Sequence, residues 1–128
     1  GHPCLMLNNE PLYLSGPLDQ GYWPDGLFTA PSYEAMTFDL KAIKSLGMNM
    51  VRKHIKVEPD SWYTWCDRNG LIVWQDMPSG NMSGSLGPTS VQEQNFYDES
   101  VRIVNSLKQH PSIGAYPFNQ CRYRMDRF

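Results

Sequence analysis

The sequence has no apolar run near the roughly 20 residues that a membrane-spanning helix needs. Its first residues also lack the basic, apolar and small-residue regions of a signal peptide. That lack leaves the compartment open, because the chain does not begin with Met. There is no basic surplus either: 11 Lys and Arg face 13 Asp and Glu, for a net charge of −2. Without a Lys/Arg-rich run to neutralise phosphates, neither nucleic acid nor a membrane is an expected partner. Cysteine is sparse and scattered. Cys4, Cys66 and Cys121 form no Cys-x-x-Cys pair and have no His at ligand spacing, which disfavours a structural metal site. An odd count argues against a disulfide framework, although one bridge with a leftover thiol stays open. Buried or incidental thiols are the simpler expectation. No Gly-x-Gly-x-x-Gly follows the first apolar run and no Gly-Lys-Ser/Thr is present, so no nucleotide cofactor is expected.

What is there is a 128-residue chain, 41% hydrophobic, with ten Gly and ten Pro as punctuation. That length suits one domain. Leu12-Tyr13-Leu14 reads as a strand running through Ser15-Gly16-Pro17-Leu18 into a long loop of mixed polar and aromatic residues, Asp19 to Gly26. Ser32, with Glu34 behind it, caps a helix whose apolar residues Met36, Leu40 and Ile43 recur at helical spacing up to Gly47. Met50 and Val51 form a short buried strand that ends in charges, Arg52 to His54. Pro59 suits the first turn of a second helix, which stops at Asn69-Gly70. Leu71 to Trp74 is continuously apolar, as in strands covered on both faces, and ends in Gln75-Asp76. After a Gly/Ser/Asn-rich loop, Ser90 and Glu93 have capping-box spacing at the start of a long helix that stops before Pro111. Ser112 to Phe118 reads as a fourth strand, disturbed by Gly114 and Pro117.

Strand and helix alternate throughout, with short links at Gly47 and Gly70. This implies an α/β fold with parallel strands and right-handed crossovers. In such folds ligands bind at the carboxyl ends of the strands. Here those ends deliver Asp19 and Gln20, Arg52 and His54, Gln75 and Asp76, and Asn119 and Gln120, interleaved with Tyr22, Trp23 and Trp74. Carboxylates, amides and indoles suit polyols, whose hydroxyls need hydrogen bonds and whose ring faces need apolar surface. Each residue also has a structural alternative. Arg52 fits a buried ion pair or a ligand clamp, His54 a structural histidine, and Asp76 a cap for the following loop. Trp62 and Trp65 read as helix-face packing.

Four segments, in order, carry a resemblance: Gly16 to Gly26, Gly47 to His54, Gly70 to Pro78, and His110-Pro111-Ser112-Ile113. From about Leu12 to Asn119 the chain resembles the catalytic domain of family 2 glycoside hydrolases, which include β-galactosidases, β-glucuronidases and β-mannosidases. The resemblance implies the first four strands of a TIM barrel, a parallel (β/α) half-barrel over residues 12–120. Residues 1–11 would lead in from an upstream β-sandwich domain, with Asn8 to Pro11 as a turn, and 121–128 would be an irregular tail. It further implies retaining hydrolysis of terminal β-linked sugars; neither a cofactor nor a metal is expected. Asp19, Trp23, Arg52, His54, Trp74, Asp76 and Asn119 would line the sugar pocket, Asn119 contacting the 2-hydroxyl. Some polysaccharide-degrading members of the family are exported, so a periplasmic or secreted parent fits, but these residues give no address.

The family's acid/base Glu follows an Asn at the end of the fourth strand. This chain reads Pro117-Phe118-Asn119-Gln120, which puts Gln120 at that position. An amide cannot donate and recover a proton as a carboxylic acid does. The family's nucleophile, near its seventh strand, has no counterpart in these 128 residues. The expectation is a fragment that is inactive alone, needs the other barrel half, and self-associates through its open strand edges. The fourth strand reads one residue short of the family pattern and 121–128 fits neither helix nor strand, as truncation or a reading-frame change would produce. A divergent ending, and with it a catalytically dead carbohydrate-binding protein, is the alternative.

Overall fold

A computed structural model describes residues 4–78 and 90–117, without the side chains of Ser90 and Val91. The chain opens with an antiparallel hairpin of β1 (Leu5–Leu7) and β2 (Glu10–Leu12). Asn8 and Asn9 turn it, with φ of 51° and 68°. Two left-handed residues in succession match the twist of a tight hairpin, and Asn tolerates that conformation. The predicted turn is therefore present, and Glu10–Leu12 return along Leu5–Leu7.

A four-stranded parallel sheet follows, in the order β3 (Leu18–Asp19), β4 (Met50–Lys53), β5 (Ile72–Gln75), β6 (Ile113–Ala115). Its helical crossovers are α1 (Tyr33–Ser45), α2 (Asp60–Asn69) and α3 (Ser90–Leu107). The α/β alternation and the parallel half-barrel order agree with the sequence reading. The first parallel strand does not. It is Leu18–Asp19, only the last residue of the run read from Leu12 to Leu18 and the one after it, because Leu12 is taken by the hairpin. The approach to β3 already follows β4: the Ser15 carbonyl accepts from the amides of Asn49 and Met50. At Gly16 the backbones are so close that a Cβ would collide with the Met50 carbonyl, which only glycine avoids.

Ser32 caps α1 by accepting from the Ala35 amide at 3.1 Å, and Gly70 ends α2 in the left-handed region. Met36, Leu40 and Ile43 of α1 and Trp62, Tyr63, Trp65 and Cys66 of α2 pack on Val51 and Val73 of the sheet. Trp62 and Trp65 are thus packing residues, as read. Burial pushes the Cys66 thiol up to about 12, which makes it inert; Cys4 is exposed. Among the described side chains of α3, Ile103 and the buried Leu107 in its last part reach this core. The fourth strand is shorter than read, and Gly114 lies in a bulge: Val73 pairs with Ile113 but Trp74 with Ala115. One extra residue in β6 keeps Ile113 towards the helices and Ala115 in line with Trp74. Among the described residues no helix is long and apolar enough to cross a membrane, and no cluster of metal-ligating side chains occurs.

Candidate functional site

Strand register divides the predicted rim residues between two faces. Leu18, Arg52, Trp74 and Ala115 are opposite one another across the four strands, and so share one face. Asp19, Lys53 and Gln75 are likewise in register and share the other, which α1 and α2 cover. Asp19 and Gln75 group with Arg52 in sequence because all three lie at the carboxyl ends of neighbouring strands. The two-residue alternation of β-structure turns them away from it.

On the first face, the Arg52 guanidinium grips Asp76 in a bidentate pair. Arg52 Nε donates to both carboxylate oxygens at 3.0 Å, and Nη2 donates to Oδ2 at 2.7 Å. The Asp76 side chain is buried, whereas that of Arg52 is 30% exposed. Asp76 is held from behind as well, its amide donating to the Lys53 carbonyl at 3.0 Å. These hydrogen bonds hold the guanidinium above its ordinary pKa, and a forked contact of this kind fixes the plane of both groups. Arg52 thus takes its ion-pair alternative while keeping part of its surface open. Trp74 lies half-buried beside it in the next strand.

His54 follows the end of β4, its amide donating to the Asp19 carbonyl at 2.9 Å. Its Nδ1 is buried without a hydrogen-bond partner among the described residues, and the next residue, Ile55, has φ of 47°. A β-branched residue in that region marks local strain where the chain turns off the strand. Trp23 sits on the β3–α1 loop, closed on itself by reciprocal backbone hydrogen bonds with Leu27 at 2.8 and 3.0 Å. Asn119 and Gln120 lie outside the described residues, as do Cys121 and the tail.

On the second face is a charge cluster that the sequence reading missed. The Lys53 ammonium is buried, 2.8 Å from Asp19 Oδ2 and 2.7 Å from Glu58 Oε1. It also lies 5.0 Å from the Trp62 ring centre, within cation–π range. Lys56 reaches the same Glu58 oxygen at 3.0 Å and donates to the Gly21 carbonyl at 2.6 Å. Two cations and two anions balance, and they fasten the β3–α1 loop to the end of β4. Behind them Tyr63 donates to Gln75 Oε1 at 2.6 Å, and Gln75 Nε2 donates to the carbonyls of Lys56 and Asp76. Burial raises the Tyr63 hydroxyl well above its ordinary range, so it remains a neutral donor. The available signal was strand alternation: a Lys directly after an inward Arg must face the helices.

A third polar group tethers α2 to β6. His110 Nδ1 is 2.7 Å from Asp67 and Nε2 2.9 Å from Asp60, while Asp67 Oδ1 accepts from the Ser112 amide at 2.9 Å. Burial works against the charged imidazole, but the hydrogen bonds to Asp67 and Asp60 outweigh it and raise the His110 pKa. For Asp67, burial is overcome by the bonds from Ser112 and His110, and its pKa falls.

No protein-family model matches the chain. It is 30% identical over 117 residues to a β-galactosidase of Psychromonas ingrahamii, an alignment covering 85% of this chain and 11% of that protein. Its fold superposes on a family 2 β-galacturonidase of Eisenbergiella tayi, bound to galacturonate, with a TM-score of 0.76 at 25% identity, covering 85% of this chain and 19% of that one. The chain belongs to glycoside hydrolase family 2. A β-D-mannosidase of Dictyoglomus thermophilum matches this family 2 chain with a TM-score of 0.71 at 25% identity, over 85% of this chain and 13% of that one. The structural neighbours are family 2 TIM-barrel enzymes, of which this family 2 chain matches only part.

Proposed function

We propose that residues 12–120 are the N-terminal half of the catalytic barrel of a retaining β-glycosidase acting on terminal sugars, and that the chain is inactive alone. Residues 1–11 lead in from an upstream β-sandwich domain. Carrying this reading is the Arg52–Asp76 fork at the carboxyl ends of adjacent parallel strands, the location at which α/β barrels bind ligands. The β-glycosidase relatives support the same reaction class.

In double displacement, a carboxylate attacks the anomeric carbon while a carboxylic acid protonates the departing oxygen; water then reverses the covalent step. Arg52 and Asp76 cannot supply that pair. Arg52 holds no transferable proton near neutral pH, and Asp76 is committed to Arg52. They act instead as a fixed hydrogen-bonding wall for sugar hydroxyls, with Trp23 and Trp74 as apolar surfaces and His54 and Asn119 as further contacts. Asp19, which faces Lys53, serves that pocket by positioning the β3–α1 loop. Nitrophenyl β-glycosides test the reading. Neither the 128-residue protein nor its Gln120→Glu variant should turn them over, and activity abolished by Gln120→Ala would overturn the inactivity.

The rest of a barrel is the partner this sheet requires, since among the described residues β3 and β6 have no neighbour on their outer edges and Leu18 is 49% exposed. Alone, the chain should self-associate, which a monodisperse monomer in light scattering would contradict. One observation favours a second reading, a catalytically dead carbohydrate binder: Gln120, an amide, follows Asn119 where the family resemblance would put the acid/base Glu. Saturable sugar binding weakened by both Arg52→Ala and Trp74→Ala supports it, and no saturation in calorimetry counts against it.

A further inference from the structure

A cavity of about 280 Å³ opens on the helix side of the sheet, between the β3–α1 loop and the first turns of α1 and α2. Its lining includes Phe28, Tyr33, Met36, Pro59 and Ser61, with Glu58. Phe28 and Tyr33 are 60% and 48% exposed, although aromatic rings are ordinarily covered. Phe28 is not a loose side chain, for it packs edge-on against Tyr22 at 5.1 Å. Glu58 is almost fully buried and held from several directions. Its Oε1 takes both Lys53 and Lys56, and its amide donates to the Tyr63 hydroxyl at 3.1 Å.

We propose that this cavity is a second carbohydrate site, separate from the Arg52–Asp76 face, that binds one neutral pyranose ring. The ring's apolar face stacks on Tyr33 and Phe28, and a ring hydroxyl donates to the Glu58 carboxylate. Charge decides the ligand class. The two lysines cancel Glu58 and Asp19, so neither a cation nor an anion is selected, whereas a hydroxyl still finds a fixed acceptor. Size decides its extent: about 280 Å³ is just below the usual range of ligand pockets, room for one ring but not a chain. Pre-organisation by the lysines spares the carboxylate any ordering on binding. The site does not depend on the glycosidase reading, since it shares no residue with the Arg52–Asp76 face.

The test is titration of the 128-residue protein with methyl β-glucoside, methyl β-galactoside and methyl β-mannoside, followed by calorimetry and by ligand-observed saturation-transfer NMR. At least one should saturate in the millimolar range, with affinity falling about fivefold in Tyr33→Ala and unchanged in Phe38→Ala, an exposed α1 residue outside the cavity lining. Tyr33 lies half-exposed in the first turn of α1, so its replacement leaves the core intact. Glu58→Gln, if it folds, should weaken binding as well. No saturation with any of the three sugars overturns the proposal. So does saturation that depends on Arg52 and not on Tyr33, which would instead belong to the central face.

Discussion

Arg52 and Asp76 share a forked ion pair between adjacent strands, yet their exposure is unequal: 30% for the arginine side chain and 3% for the carboxylate. The asymmetry gives the two truncations different costs. Asp76→Ala frees an arginine that can turn to water, at about 1 kcal/mol. Arg52→Ala strands a buried carboxylate, at about 3 kcal/mol. Urea unfolding should rank the variants in that order, with the double variant more stable than Arg52→Ala alone. Equal losses would show that the pair is effectively a surface one.

Lys53 bridges two carboxylates on the helix side. Lys53→Met leaves Asp19 without its ion-pair partner and Glu58 with Lys56 only, and should cost about 3 kcal/mol. Adding Asp19→Asn removes the stranded charge. The double variant should regain about 1 kcal/mol or more, a coupling that a thermodynamic cycle measures directly. Strict additivity of the two changes would contradict the cluster.

His110 links stability to pH, and the directions of its shifts fix the window. Its folded pKa lies above the ordinary 6.5, so its contribution is complete below that value and is lost as pH rises through the folded pKa. Asp67 is shifted down from 3.8, so its share is present above that value and disappears as pH falls through its folded pKa. The clasp is therefore strongest between about pH 4 and 6.5. Urea midpoints of the natural chain should decline from pH 6 towards pH 9, and His110→Ala should flatten that decline. Parallel curves for the two proteins would remove His110 as the cause.

Local chemistry determined much of this protein. Ser32 and Gly70 mark helix ends because a hydroxyl satisfies a free amide and glycine accepts a left-handed φ, interactions confined to a few neighbouring residues. The order of strands and helices follows from hydrophobic period, and four short motifs sufficed to indicate the family. Tertiary structure alone decided which groups meet. Leu12 reads as the first barrel strand until the hairpin claims it, and Gly114 becomes a bulge only against the register of Val73 and Trp74. Asp19 and Arg52 are both near strand ends, but the pleat sends one to Lys53 and leaves the other for Asp76. Lys53 with Glu58, and His110 with Asp60 and Asp67, depend on packing that brings separate elements together. Residue type and spacing carry no record of such encounters, because a buried ion pair forms only where the fold has already excluded water.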